Sequence, residues 1–171
     1  MDLEMTGLDS VKDRILEVAV IATDWSLNEL ATYEGIVKVN PNLLEKRFKL
    51  SLFWSGRAKQ SKQMIEQNNQ ATKNTKQIEA ELLAFVDANF KLKEPIYLAG
   101  NSIHCDRQFI KHEWPKLDRK LHYRMLDVSA WKIIFENKIH AKFVKPDVHR
   151  ALSDIEGSID ELKFYLQKIK F

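Results

Sequence analysis

The segment Asp2-Leu3-Glu4-Met5-Thr6-Gly7-Leu8 places two carboxylates two residues apart in a short apolar stretch that ends at a glycine. On a β-strand the side-chain period is two, so Asp2 and Glu4 point to the same face. Two carboxylates there repel each other unless a cation lies between them, and a hard divalent ion such as Mg²⁺ is the usual solution. A solvated strand end with two ordinary surface acids is the competing reading, and the pair alone does not decide. Later acids tip the balance. Asp106 sits in Gly100-Asn101-Ser102-Ile103-His104-Cys105-Asp106-Arg107, and Asp154 in His149-Arg150-Ala151-Leu152-Ser153-Asp154-Ile155. Four carboxylates from separate parts of the chain can hold two divalent ions. Such a pair activates an attacking water and stabilises the leaving oxygen of a phosphodiester. Ligation by carboxylate and water suits Mg²⁺ or Mn²⁺ rather than Zn²⁺, which recruits more His and Cys.

The order Asp-x-Glu, then Asp, then His-x4-Asp resembles the DEDDh group of 3′–5′ exonucleases. The flanking words narrow the resemblance to the oligoribonuclease family. They are Asp2–Leu8 with Asp9, Gly100–Asp106, and His122-Tyr123-Arg124 followed by Leu126-Asp127-Val128-Ser129. Asp-x-Glu alone is a weak motif, but the whole set runs nearly end to end in the family's order.

The resemblance implies a ribonuclease H-like fold and hydrolysis of very short single-stranded RNA, dinucleotides especially, to 5′-mononucleotides. It assigns Asp2 as the bridging metal ligand, with Glu4 and Asp154 on the nucleophile side and Asp106 acting partly through water. It makes Leu8 an exposed apolar wedge against the bases, where a core leucine is the plainer reading. Trp54 is assigned a stacking face or, almost as readily, a place as a core anchor. Tyr123 is similar to a tyrosine that serves the neighbouring subunit's site in a homodimer. Arg124, Ser102 and Ser129 resemble residues that cap a 5′-phosphate. Arg suits that task because its planar fork bonds two phosphate oxygens.

His149 is the expected general base. It lies five residues before Asp154, and five helical steps rotate by roughly 140°, so the two would not share a helix face. His149 therefore belongs in the loop leading into the helix, where it can reach the attacking water. A neutral imidazole with a pKa near ~6.5 accepts a proton at physiological pH. His104 competes for the role, but a solvent-facing histidine is the better reading of it. Cys105 fills space, since nothing supplies the His partner of a thiol nucleophile. The lysines between Lys59 and Lys76 read as a solvated face.

At 171 residues the chain is expected to form a single exonuclease domain over 1–171. It has no apolar run long enough to cross a bilayer and shows no charged-then-apolar segment at its start that would act as a secretion signal; its single cysteine leads to the expectation of a reducing, cytoplasmic setting. A net charge of +3 permits a phosphate-bearing substrate without implying a long nucleic-acid track.

The elements that must position these residues are partly legible. Residues 14–24 form a β-branched apolar run, as a buried central strand would. A partner strand is expected at 30–39, with Asp24–Asn28 as the turn. Residues 41–76 are read as short helices. Residues 75–90 place Ile78, Leu82, Phe85 and Val86 on one helical stripe. Ile96–Ala99 is a short strand ending at Gly100, with Asp106 near the start of the next helix. Arg124–Val128 is expected to be a strand, followed by a helix through Trp131, Ile133 and Ile134. Leu152, Ile155, Ile159, Leu162, Leu166 and Ile169 step by three and four along a last helix, with Asp154 about 100° from Ile155 at the stripe's edge. The expected fold class is α/β, a mixed sheet covered by helices.

Two features depart from the family pattern. Met1 stands directly before Asp2, so the first strand is expected to be short and prone to fraying at that end. Lys59 stands where the family usually has a histidine five residues after the tryptophan. Two rival readings remain: a related exonuclease trimming longer ends, and a nucleic-acid-binding dimer that has lost catalysis.

Overall fold

The computed structural model describes residues 1–144 and 150–169. Three antiparallel strands, β1 (Asp2–Met5), β2 (Ile15–Thr23) and β3 (Glu29–Ile36), lie in the order β1-β2-β3. Two parallel strands, β4 (Ile96–Gly100) and β5 (Leu121–Asp127), form a second ladder. The Met1 amino group, donating to Ala99 O at 2.9 Å, joins the start of β1 to β4. Gly100 permits this approach, because a Cβ there would stand 2.7 Å from Met1 O.

β2 is central because Ile15, Leu16, Val18, Ala19 and Ala22 are all buried, as its β-branched run requires. A β-turn closes the hairpin to β3, with Asp24 Oδ1 accepting from the backbones of Ser26 and Asn28. Helices α1 (Pro41–Leu50), α2 (Leu52–Ser55), α3 (Ala58–Gln70) and α4 (Thr75–Asn89) follow. Asn74 and Gln77 close a reciprocal cap at the start of α4, which buries Ile78, Leu82 and Val86. Fully burying each such side chain stabilises the fold by roughly 1.5–3 kcal/mol.

Helices α5 (His104–Glu113) and α6 (Pro115–Lys120) lie between β4 and β5; α7 (Val128–Lys138) and α8 (Ala151–Leu166) complete the order. α8 packs on the three-stranded sheet, with Ala151 and Ile155 buried against Ala19.

The elements agree with expectation in kind, with three boundary differences. β3 ends at Ile36 rather than 39, because Asn40 already caps α1, accepting from the N–H groups of Asn42 and Leu43. β5 starts three residues before Arg124; its exposed centre, Tyr123 to Met125, carries no apolar alternation to announce it. α8 ends at Leu166, and its buried face includes Ser158, Glu161 and Tyr165 besides the apolar stripe.

Candidate active site

β1 carries the first two acids in along the edge of the sheet. Its first residue is tied by the Met1–Ala99 bond, and Leu3 N donates to Asp106 Oδ1 at 3.0 Å. These two bonds tie down the strand end that was expected to fray. Asp154 arrives in the first turn of α8, where the helix dipole favours a negative side chain. Carboxylate oxygens of Asp2, Glu4 and Asp154 all lie within 4.8 Å of one another. Asp106 is outside that trio; its carboxylate faces the β1 backbone through Leu3.

The electrostatics of this cluster are severe. Burial, and then Asp2, Asp154, Glu17 and Asp106 in turn, push the Glu4 carboxyl up to about 8. Burial also raises Asp106 to about 6, offset in part by the Met1 amino group and by backbone hydrogen bonds. Hard carboxylate oxygens crowded in this way fit a divalent cation of the Mg²⁺ or Mn²⁺ type, with neither imidazole nor thiolate in the described trio to favour zinc.

A cavity of about 670 Å³ is lined by these three acids together with Leu8, Phe53 and Trp54. Leu8 is 81% exposed, so it is no core leucine. Its loop is braced from below. Asp13 accepts from Thr6 Oγ1 at 2.8 Å and Asp9 N at 3.0 Å, and Arg47 grips it with Nε and Nη2 at 2.6 and 2.7 Å. Gly7 is needed here, because a Cβ would sit 2.5 Å from Asp13 Oδ2. Trp54 is only 2% exposed. Its indole N–H donates to Met5 O and its ring stacks on Phe48, so it serves as a core anchor and offers little free face for a base. Phe53, edge-on to Trp54, is the more open ring.

A second group of expected residues gathers at the ends of β4 and β5. Ser102 has a φ of 48° and donates its N–H to Asp127 Oδ1 and Ser129 Oγ, both at 2.9 Å. The two serine hydroxyl oxygens are 3.3 Å apart. Arg124 is exposed, its guanidinium 4.7 Å above the ring of Tyr123, which is itself 71% exposed. His104 begins α5 as an exposed residue with Nδ1 3.6 Å from Asp127 Oδ2. Cys105 is half-buried, and contrary to expectation a histidine does reach it, with His104 Nε2 3.4 Å from Sγ; burial and the charges of Asp106 and Asp127 push the thiol up, which keeps it from acting as a nucleophile. His149 lies outside the described residues.

Three supports around the site were not singled out from the sequence. They are the Asp13–Arg47 brace, the Glu17–Arg150 ion pair, and Glu161, which accepts from Asn101 Nδ2 and the Tyr165 hydroxyl. Glu17 left a signal: it is the only charge inside the apolar run of β2. Glu161 left none, because an acid beside an apolar helical stripe reads as solvated.

The chain matches the RNase T exonuclease family over residues 1–162. It is 39% identical over 171 residues to the oligoribonuclease of Dichelobacter nodosus, spanning 99% of this chain and 92% of that protein. It is 38% identical to the oligoribonuclease of Corynebacterium glutamicum, spanning 96% of this chain and 76% of that protein. The same identity holds for the protein of Baumannia cicadellinicola, spanning 96% and 89%.

Proposed function

Because this chain belongs to the oligoribonuclease family, whose exonuclease domain has a ribonuclease H-like fold, we infer that it is a 3′–5′ exoribonuclease acting on short RNA. The reading goes further: residues 1–171 work as a single exonuclease domain that takes very short strands, dinucleotides above all, to 5′-mononucleotides. The observation that carries it is the meeting of Asp2, Glu4 and Asp154 beside an open cavity.

Asp2, Glu4 and Asp154, with Asp106 behind them, would hold Mg²⁺ or Mn²⁺. When bound, two such ions supply positive charge for the attacking water and the departing 3′-oxygen. The chain's own residues do the rest. His149 takes the proton of the attacking water as the scissile phosphorus–oxygen bond breaks. Leu8 presses on a base from its braced loop, and Phe53 flanks the same cavity. Arg124, Ser102 and Ser129 bind the 5′-phosphate and limit the length of strand that fits. Tyr123 acts in the site of a second copy. Support for a homodimer comes from the exposed face around it. Trp25, Tyr97, His122 and Tyr123 form a row of ring contacts at 5.8, 4.7 and 4.5 Å, and Ile133 and Ile134 of α7 are exposed as well. Unburied aromatic and aliphatic surface of this kind suits burial against another subunit. Among the described residues no helix is long and apolar enough to cross a membrane; a cytoplasmic location is part of the proposal.

The test is product analysis on a 5′-phosphorylated RNA dinucleotide with Mn²⁺, with Mg²⁺ and with EDTA. Mononucleotides should appear with either metal and vanish with EDTA. Mononucleotide release undiminished by EDTA, or none with either metal, would sink the reading.

A further inference from the structure

Glu17 is a fifth acid at the cluster, and the proposed mechanism has no use for it. It sits on β2 directly opposite Glu4 of β1, in register. Opposed residues on neighbouring strands project to the same side of a sheet, so Glu17 stands beside the metal-ligand candidates. It is 2% exposed. Its charge is met by Arg150, whose Nε lies 3.2 and 3.1 Å from the two carboxylate oxygens and whose Nη2 lies 3.1 Å from Oε1.

Arg150 is also the N-cap of α8, and its carbonyl oxygen accepts the N–H of Asp154 at 2.9 Å. Among the described residues no side chain caps the helix. One residue thus holds Glu17 with its head and the first turn bearing Asp154 with its main chain.

We propose that the Glu17–Arg150 ion pair is a clamp that fixes Asp154 against Glu4, making both positioning residues for the metal site. The proposal rests on the reading of Asp154 as a metal ligand. Two observations support the linkage: the grip spans 133 positions of the chain, and helix α8 packs on β2 at Ala19 just past Glu17. A forked guanidinium holds an angle as well as a distance, which a point charge does not. Misplacing a reacting group by about 1 Å costs roughly a hundredfold in rate.

The test separates geometry from charge. Glu17→Gln, Arg150→Gln and the double variant are compared with the parent for kcat on a 5′-phosphorylated dinucleotide at saturating Mn²⁺, and for Mn²⁺ affinity by calorimetry without substrate. Charge alone moves the two single variants in opposite directions: Glu17→Gln leaves an added positive charge and weakens Mn²⁺ binding, while Arg150→Gln leaves an added negative charge and strengthens it. A clamp lowers kcat in both, by roughly ten- to a hundredfold, and the double variant is no slower than the slower single variant, because either change opens the same clamp. A kcat that follows charge, falling in one and not the other, overturns the proposal. So does a double-variant loss equal to the product of the single losses.

Arg150→Lys guards against misfolding, since it keeps the charge and the half-exposed stem. Its kcat and its Mn²⁺ affinity should both fall while its melting temperature stays near the parent's; wild-type kcat in this variant overturns the fork argument. Asp154→Ala runs alongside. If it retains full turnover, the site reading itself has failed. If it is inactive while Arg150→Gln is unimpaired, only the clamp has failed.

Discussion

The acid cluster and the β5 end of this molecule are built in opposite ways. At the acid cluster the backbone that carries the acids is braced before any ligand arrives. Leu3 N holds Asp106, the Met1 amino group ties β1 to β4, and Asp154 emerges from a helix turn gripped through Arg150. At the β5 end the backbone is ordered by Asp127, but the expected contact side chains, Tyr123 and Arg124, stand in solvent against each other. The difference teaches where specificity and rate are stored. Rate needs groups held in advance, since reorganisation during the reaction raises the barrier. Recognition tolerates mobile side chains, and on the proposed reading Tyr123 and Arg124 acquire their geometry when phosphate or a second subunit meets them.

That contrast sets the order of expected effects. Asp2→Ala, Glu4→Ala, Asp106→Ala and Asp154→Ala should each nearly abolish turnover, because a lost ligand removes charge and geometry together. Steady-state rates at saturating Mg²⁺ provide the check, and a wild-type-like rate in any one variant removes that residue from the site. Next comes His149→Ala, expected to keep metal affinity while losing roughly 10²–10⁴ in rate. The parent's rate should rise through the histidine range. A flat profile between about pH 5.5 and 8, with chemistry shown to limit the rate, would count against the role. If His104→Ala is equally slow, the base has been assigned to the wrong histidine.

The recognition end should show a different signature. Mixing Tyr123→Ala with Asp106→Ala subunits should restore up to one working site per mixed dimer, since one site then has both its acids and its partner's tyrosine. No gain after verified subunit exchange would argue for a site contained in one chain.

The smallest effect is on stability and protons. Glu4 is raised from 4.5 to about 8, so its proton is held more tightly in the folded state than in the unfolded one. The folded state carries the excess proton across that window, and metal-free stability should fall as pH rises through it. A divalent cation should expel that proton. Mn²⁺ titrations at pH 7 in buffers of different ionisation enthalpy should show about one proton released per site. Identical heats in all buffers would mean that Glu4 is already ionised.

How much of this was visible in the chain follows the same divide. The acids were legible because strand alternation and the helix start decide where Asp2, Glu4 and Asp154 point. β2 and α4 were legible because apolar periodicity reports burial. The supports were not, since Asp13–Arg47 and Glu17–Arg150 join residues 34 and 133 positions apart. No local pattern encodes such pairs. Trp54 illustrates the other failure: a large aromatic ring beside a cavity suits both stacking and anchoring, and only its bond to Met5 O and its 2% exposure tell which.

Length discrimination is the most direct trial of the whole. The value of kcat/KM is to be measured on a 5′-phosphorylated dinucleotide and on a 20-mer, for the parent and for Arg124→Ala. A charged, two-pronged phosphate contact is worth about 1.5–3 kcal/mol. The parent should therefore favour the dinucleotide, and Arg124→Ala should lose roughly ten- to a hundredfold on it while changing little on the 20-mer. A parent that degrades the 20-mer as efficiently as the dinucleotide would contradict the capped site and leave a general exonuclease in its place.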